Sequence, residues 1–200
     1  MEDEVDCFFS ILLDLDFQRQ QASMGSKDSP FSLEAYDRYT EKQPDVDRKV
    51  YLWHMHAYSP DNDGNVLRQF QDMISARFGA DANVRYGNLA LKAAGPHPCA
   101  QLEFDFTRTV FADVISWAMF NRPDNLSVLI HPFDDHQAEA HSARAMWLGP
   151  PLDLKLEPVQ GFDSMVARKV AEGATVNEVL CAFVSPGGRL ANRRAAVAGA

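Results

Sequence analysis

The order in which strand-like and helix-like patterns follow one another limits most strongly what this chain can fold into. Residues 100–106 alternate strictly between apolar and polar side chains, which predicts a strand with one buried face. Similar patterns predict three further strands at 49–58, 84–91 and 126–130 and two amphipathic helices at 66–78 and 107–121. The resulting order, β-α-β-β-α-β, indicates an α+β class and the ferredoxin-like arrangement, one antiparallel sheet with both helices on one face.

The predicted sheet has a second face that these helices do not cover. Because an open sheet face usually needs cover, we expect a second subunit, in a homodimer, or the terminal segments to lie on it.

A shorter helix is predicted from about 137 to 147, and another from about 161 to 171. The predicted parts of the chain are a partly disordered N-terminal extension at 1–48, the ferredoxin-like domain at 49–157 and a C-terminal tail at 158–200.

Composition excludes several classes of partner. The formal net charge of −9 argues against nucleic acid and against an anionic membrane surface. No apolar run approaches the roughly 20 residues that a membrane helix needs. The three cysteines are far apart and form no CxxC pair, which disfavours a disulfide framework and fits the reducing cytosol, so a cytoplasmic location is expected.

A histidine pair on the first predicted strand is the first candidate site. His54 and His56 are two residues apart and therefore point to one face of a strand, where they could chelate one metal ion or simply bond to neighbouring groups. Glu103 is predicted mid-strand on the neighbouring strand. If it shares their face, two imidazoles and one carboxylate form the ligand set of non-heme Fe(II) oxygenases; the alternative is an ordinary solvated sheet face.

Three further histidines fall in a loop, at a strand end and in a short helix. His97 lies between two prolines that stiffen its loop, His131 closes the fourth strand, and His141 lies inside the shorter predicted helix. Each could serve as ligand, base or substrate donor, or be structural. Arg122 ends the second long helix, where it could bind a substrate carboxylate or complement the helix dipole.

The ordered set of motifs resembles the fungal-type DOPA 4,5-dioxygenase family over about residues 50–155. The segments that carry the resemblance are Trp53-His54-Met55-His56-Ala57-Tyr58, Gly95-Pro96-His97-Pro98 with Glu103, Phe111-Ala112-Asp113-Val114, Asn121-Arg122, Leu126-Ser127-Val128-Leu129-Ile130-His131-Pro132, and His141 with Ala145-Met146-Trp147-Leu148-Gly149. Each segment is short, but their combination and order are specific. The ferredoxin-like fold of that family agrees with the order of elements predicted from periodicity.

The resemblance implies extradiol-type cleavage of a catechol such as L-DOPA by iron(II) and dioxygen, giving seco-DOPA on the way to muscaflavin or betalamic acid. On this basis His54, His56 and Glu103 are the preferred metal ligands, with His131 the next candidate; zinc or another divalent metal could occupy the site on isolation. His97 and His141 are the implied acid–base pair. Arg122 and Ser127 are the implied substrate-binding residues.

One departure from the family and two competing functions accompany this prediction. The family usually has an Asp directly before the histidine matched by His141, where this chain has Ala140, so Glu139 or Asp135 would have to orient that ring. The first competing function is a catalytically silent metal- or ligand-binding protein on the same scaffold. The second is a zinc- or iron-dependent enzyme of another class, such as a hydrolase.

Overall fold

The computed structural model describes residues 29–41 and 50–184. The helices are α1 Leu33–Glu41, α2 Gly64–Phe78, α3 Phe111–Asn121, α4 Gln137–Ala140, α5 Glu157–Ala171 and α6 Val176–Val184, and the strands are β1 Leu52–Ser59, β2 Val84–Ala90, β3 Ala100–Thr107, β4 Ser127–Pro132 and β5 Met146–Leu148. Residues 50–160 form one compact unit, and the described parts of a second unit are 29–41 and 161–184. No helix in the described ranges is long and apolar enough to cross a membrane.

The sheet of the first unit has the order β2-β3-β1-β4-β5, and every pair of neighbours is antiparallel. Its first four strands, with α2 and α3 between them, give the predicted β-α-β-β-α-β order. The α+β, ferredoxin-like prediction is therefore confirmed, and the additional strand β5 extends the sheet beyond β4.

The hydrophobic core lies between one sheet face and the two long helices. Strand residues alternate as predicted, so Leu102, Phe104 and Phe106 are all buried on the helix side. The helices contribute apolar side chains at helical spacing, which include Leu67, Phe70, Ile74, Val114 and Ala118. The polar faces of the same strands are consequently directed away from this core.

Two local interactions bound α2. The Asp63 carboxylate accepts a hydrogen bond from the backbone N–H of Asn65 at 2.8 Å and caps the N-terminus. Gly79 follows the last helical residue and donates its N–H to the carbonyl of Ser75. The helix lies between β1 and β2 in the chain and packs against β1 and β3 of the sheet.

The prediction of a helix from about 137 to 147 is correct at its start and wrong beyond residue 140. Helix α4 ends at Ala140, and Met146–Leu148 instead form β5. The reason is tertiary, since Trp147 pairs with Leu129 along the outer edge of β4. Ladder hydrogen bonds at that edge outweigh the helical preference of the preceding Ala-rich segment.

The second unit contains two helices that the sequence analysis did not predict. Helix α1 begins after Ser32, whose hydroxyl accepts from the N–H of Ala35. Helix α6 begins after a capping box in which Thr175 and Glu178 exchange hydrogen bonds, a signal present in the sequence. The helix predicted at 161–171 is present and begins earlier, at Glu157. Residues 1–28 and 42–49 of the predicted N-terminal extension and residues 185–200 of the predicted tail lie outside the described residues.

Candidate metal and acid–base site

The site lies on the sheet face opposite the two long helices. Residues paired across antiparallel strands project to the same side, and the register pairs His54 with Asp105 and His131, and His56 with Glu103. Glu103 therefore shares the face of the two histidines, as the sequence analysis required for a joint site. The segment that follows β4 packs on this face, with Trp147, Leu152 and Leu154 against Tyr58 and Leu129.

Two histidines reach this face from loops. A tight turn presents His97, since Ala94 and His97 exchange backbone hydrogen bonds at 3.1 and 3.2 Å, and the Pro96 carbonyl accepts from Lys155 N–H at 2.9 Å. His141 directly follows α4. The ring centroids of His97 and His56 are 4.4 Å apart, and those of His141 and His131 are 4.0 Å apart. The structure thus brings all five histidines of the sequence motifs together, each at most 9% exposed.

Hydrogen bonds fix which ring nitrogen carries the proton in three of these histidines. Nδ1 of His131 lies 2.9 Å from the Pro132 carbonyl, and Nδ1 of His141 lies 2.8 Å from the Gln137 carbonyl. Nδ1 of His56 lies 2.7 Å from Oε1 of Gln101. The carbonyl oxygens can only accept, and Gln101 is assigned the amide orientation in which Oε1 accepts from His56. Each Nδ1 is then the donor, and each neutral ring keeps a lone pair on Nε2.

The lone pairs of two rings face each other. Nε2 of His56 lies 3.1 Å from Nε2 of His131, and neither atom carries a proton to share with the other in the neutral tautomers just assigned. Two acceptors at this separation repel unless a cation lies close to both. Buried imidazole nitrogens of this kind are suitable ligands for a transition metal.

A carboxylate and an arginine flank the remaining histidine of β1. Nε2 of His54 lies 3.1 Å from Oδ1 of Asp105, but the geometry does not make a hydrogen bond, so both buried atoms lack a hydrogen-bond partner among the described residues. The other oxygen of Asp105 accepts from Arg85 at 2.6 Å. The Phe133 ring stacks on His54 with centroids 4.4 Å apart. Phe133 therefore packs on the His54 ring, and the Asp105 carboxylate lies next to its Nε2.

Possible metal ligands fall into overlapping groups of three whose ligand atoms lie within 4.8 Å of one another. The groups are His54, His56 and His131; His56, His97 and His141; and His54, Glu103 and Asp105. His56 belongs to both all-histidine groups. Glu103 joins the group of His54 rather than that of His56 and His131.

Burial lowers the pKa of all five clustered histidines. For His56 and His131 the neighbouring imidazoles add to this effect, and the pKa lies well below 6.5. Burial brings the pKa of His97 to about 3 and that of His141 to about 4. For His54, burial outweighs the opposing effect of Asp105. The rings are neutral at physiological pH, so no proton has to leave before a metal binds.

The two predicted substrate-binding residues lie at the β4 end of the unit. Nη1 of Arg122 donates to the carbonyls of Pro123 and Leu126 and thereby holds the loop between α3 and β4. Ser127 is buried and pairs with Tyr58 in the β1–β4 register, so it shares the face of the histidines. A substrate contact for either residue stays a prediction.

The structure answers how His141 is oriented when Ala140 precedes it. The Gln137 carbonyl holds the His141 ring, whereas Glu139 pairs with Arg144 and Asp135 pairs with His136. The sequence analysis singled out none of the acceptors that orient the rings. Gln101 could have been found, since its alternation with Glu103 puts it on the same polar face.

Removal of the Gln101 acceptor is expected to weaken metal binding. We expect Gln101→Leu to lower the affinity by about 10- to 100-fold, because the His56 ring loses the bond that fixes its tautomer. Gln101→Glu retains an acceptor at the same position and serves as the matched control, with an affinity near that of the wild type. Titration against a chromophoric chelator measures both. Equal losses in the two variants would contradict the assigned role.

Comparisons with known proteins identify relatives of this chain. The sequence profile described as the Dopa 4,5-dioxygenase family matches residues 53–158. A "DOPA 4,5-dioxygenase" from Amanita muscaria is 31% identical over 134 residues, which are 60% of this chain and 56% of that protein. The chain thus spans little more than half the length of that relative. An "Uncharacterized 21.2 kDa protein" from Botryotinia fuckeliana is 28% identical over 145 residues, which are 67% of this chain and 77% of that protein.

A solved structure shares both fold and sequence with the chain. The crystal structure of a "putative dioxygenase" from Nostoc punctiforme superposes with a TM-score of 0.50 and 29% sequence identity, covering 56% of this chain and 92% of the other. The segment matched by the family profile is more than half of the chain and includes all five clustered histidines. The chain therefore belongs to the Dopa 4,5-dioxygenase family.

Proposed function

We propose that this chain is an extradiol-type dioxygenase that opens the ring of a catechol such as L-DOPA, with Fe(II) and dioxygen at the histidine cluster. The observation that carries the proposal is the 3.1 Å approach of the Nε2 atoms of His56 and His131, whose lone pairs, in the tautomers assigned above, a single cation would bind. Membership of the family favours oxygen chemistry over the hydrolytic alternative.

His56 and His131 would hold the metal, with His54 as the third ligand. Glu103 and Asp105 lie within ligand distance of His54 and offer the carboxylate of a two-histidine, one-carboxylate set. The unpartnered buried atoms of His54 and Asp105 fit this role, because a bound cation would satisfy both. Iron(II) bound there would supply the redox chemistry that joins dioxygen to a catechol ring.

The surrounding residues would prepare the substrate and exclude water. Nε2 of His141 is an acceptor and can take a proton from a catechol hydroxyl, as expected for a general base. Tyr58 is fully buried and stacks with Trp147 at a centroid distance of 5.8 Å, which makes an apolar wall beside the histidines. Such a wall suits the flat ring of a catechol and keeps water from the reacting atoms.

The test is anaerobic reconstitution with Fe(II), followed by L-DOPA and air. We expect oxygen uptake that matches the formation of a yellow ring-opened product, seco-DOPA from 4,5-cleavage, and none with the metal-free or Zn(II)-loaded protein. In the iron-loaded protein, substitution of the half-exposed His136 by Gln should leave the rate of oxygen uptake unchanged, since that ring lies outside the cluster. Tight iron binding without uptake on L-DOPA or simpler catechols would instead favour a silent metal-binding protein.

A further inference from the structure

We propose that Tyr58 is a positioning residue that keeps the proton of His97 on Nε2, so that His97 presents a hydrogen-bond donor to an oxygen of the bound substrate. The proposal rests on the proposed function and deepens it. It assigns different tasks to the two histidines of the predicted acid–base pair. His97 donates, whereas His141 accepts.

The contact between the two residues is short and isolated. The Tyr58 hydroxyl lies 2.7 Å from Nδ1 of His97, and within the described part of the chain neither the hydroxyl nor the His97 ring makes another hydrogen bond. Tyr58 is fully buried. Among the described residues, its hydroxyl therefore has one partner, Nδ1 of His97, with which to satisfy its proton.

The direction of this hydrogen bond follows from the cost of the alternative. If Nδ1 of His97 donated, the phenolic proton of Tyr58 would be buried without an acceptor, at a cost of about 1–3 kcal/mol. A tyrosine hydroxyl keeps its proton at neutral pH, because the ordinary pKa of tyrosine is about 10. Tyr58 consequently donates to Nδ1, and the neutral His97 ring carries its proton on Nε2.

This tautomer is the opposite of the one found in the neighbouring rings. His56, His131 and His141 each donate through Nδ1 and leave Nε2 as an acceptor. A ring with its proton on Nε2 cannot bind a metal through that nitrogen. Thus His97 has the character of a substrate-facing donor, although it lies within ligand distance of His56 and His141.

A donor and an acceptor side by side suit a substrate with two adjacent oxygens. The ring centroids of His97 and His141 lie 5.9 Å apart. One hydroxyl of a vicinal diol could give its proton to Nε2 of His141 while the neighbouring oxygen accepts from Nε2–H of His97. The turn that carries His97 is fixed by its backbone bonds and by Lys155, so the donor is preorganised.

The tautomer can be read directly in the metal-free protein by long-range ¹H–¹⁵N NMR of histidine-labelled samples, with His97 assigned through the missing signals of His97→Gln. We expect the Nε2–H pattern for His97 and the Nδ1–H pattern for His56, His131 and His141. In Tyr58→Phe we expect His97 to shift towards the Nδ1–H form. With the iron-loaded protein, kcat should fall by about tenfold, the value of one hydrogen bond, while metal affinity stays within about threefold.

Each outcome decides the proposal. An Nδ1–H pattern for His97 in the wild type would overturn it, and so would an unchanged His97 tautomer in a folded Tyr58→Phe variant. The wild-type spectrum suffices if that variant fails to fold. Because the NMR readout needs no turnover, absence of oxygen uptake would count against the proposed function and leave the tautomer assignment standing.

Discussion

Replacement of His56 with glutamine is expected to lower metal affinity by more than about 100-fold and to abolish oxygen uptake. His56 belongs to both all-histidine groups, and its Nε2 faces that of His131. Outer-sphere partners of a metal alone are worth about 10- to 100-fold in affinity, so the loss of a ligand should exceed that range. Chelator competition measures the affinity, and an oxygen electrode measures the uptake.

The matched control for this prediction is His136→Gln, which makes the same substitution at a half-exposed ring that pairs with Asp135. The control should bind metal as tightly as the wild type. Thermal unfolding of the two metal-free variants separates a lost ligand from a lost fold. Should His56→Gln retain wild-type affinity while folded, the assignment of the metal to His56 and His131 would be wrong.

The metal-free protein is expected to lose several kcal/mol of stability as the pH falls from about 7 to 4. Burial lowers the pKa of the five clustered histidines in the folded chain, in the case of His97 to about 3 and of His141 to about 4. Their ordinary value of 6.5 returns on unfolding. Below pH 6.5 the unfolded chain therefore binds more protons, and each histidine contributes up to about 1.4 kcal/mol per pH unit.

The sign of this dependence is fixed by the linkage relation. Stability rises with pH wherever the unfolded state binds more protons, so the contribution of these histidines is present above about pH 6.5 and declines as the pH falls towards the folded-state pKa values. Denaturant titrations at half-unit pH intervals measure it. The variant His97→Gln should reduce the slope of stability against pH by the contribution of one proton, about 1.4 kcal/mol per pH unit. A stability independent of pH between 6.5 and 4 would contradict the burial of neutral rings.

Much of the fold was predictable because it rests on local patterns. The alternation of Leu102, Phe104 and Phe106 fixed a strand and its buried face, and Asp63 and Gly79 marked the ends of a helix. Periodicity failed at 141–148, where the free edge of β4 takes up Met146–Leu148 as β5. Helix propensity depends only on the local sequence, so it does not account for pairing with a strand that is distant in the sequence.

The histidines of the candidate site could be predicted from the sequence, but the hydrogen bonds that orient their rings could not. The spacing of His54 and His56 put both rings on one face, and the motifs supplied His97, His131 and His141. Sequence alone left open which residue orients each ring. The carbonyls of Pro132 and Gln137 do so for two of them, and no side-chain pattern reveals a backbone acceptor.

The sequence by itself determined the α+β order of elements, the shared face of the β1 histidines and the family resemblance, because each depends on residue type and short-range spacing. Only the tertiary structure brought Gln101 to His56, the Tyr58 hydroxyl to His97, and the Nε2 atoms of His56 and His131 to one another. These features depend on register and on hydrogen-bond direction between distant segments. Such relations exist only once the strands have paired.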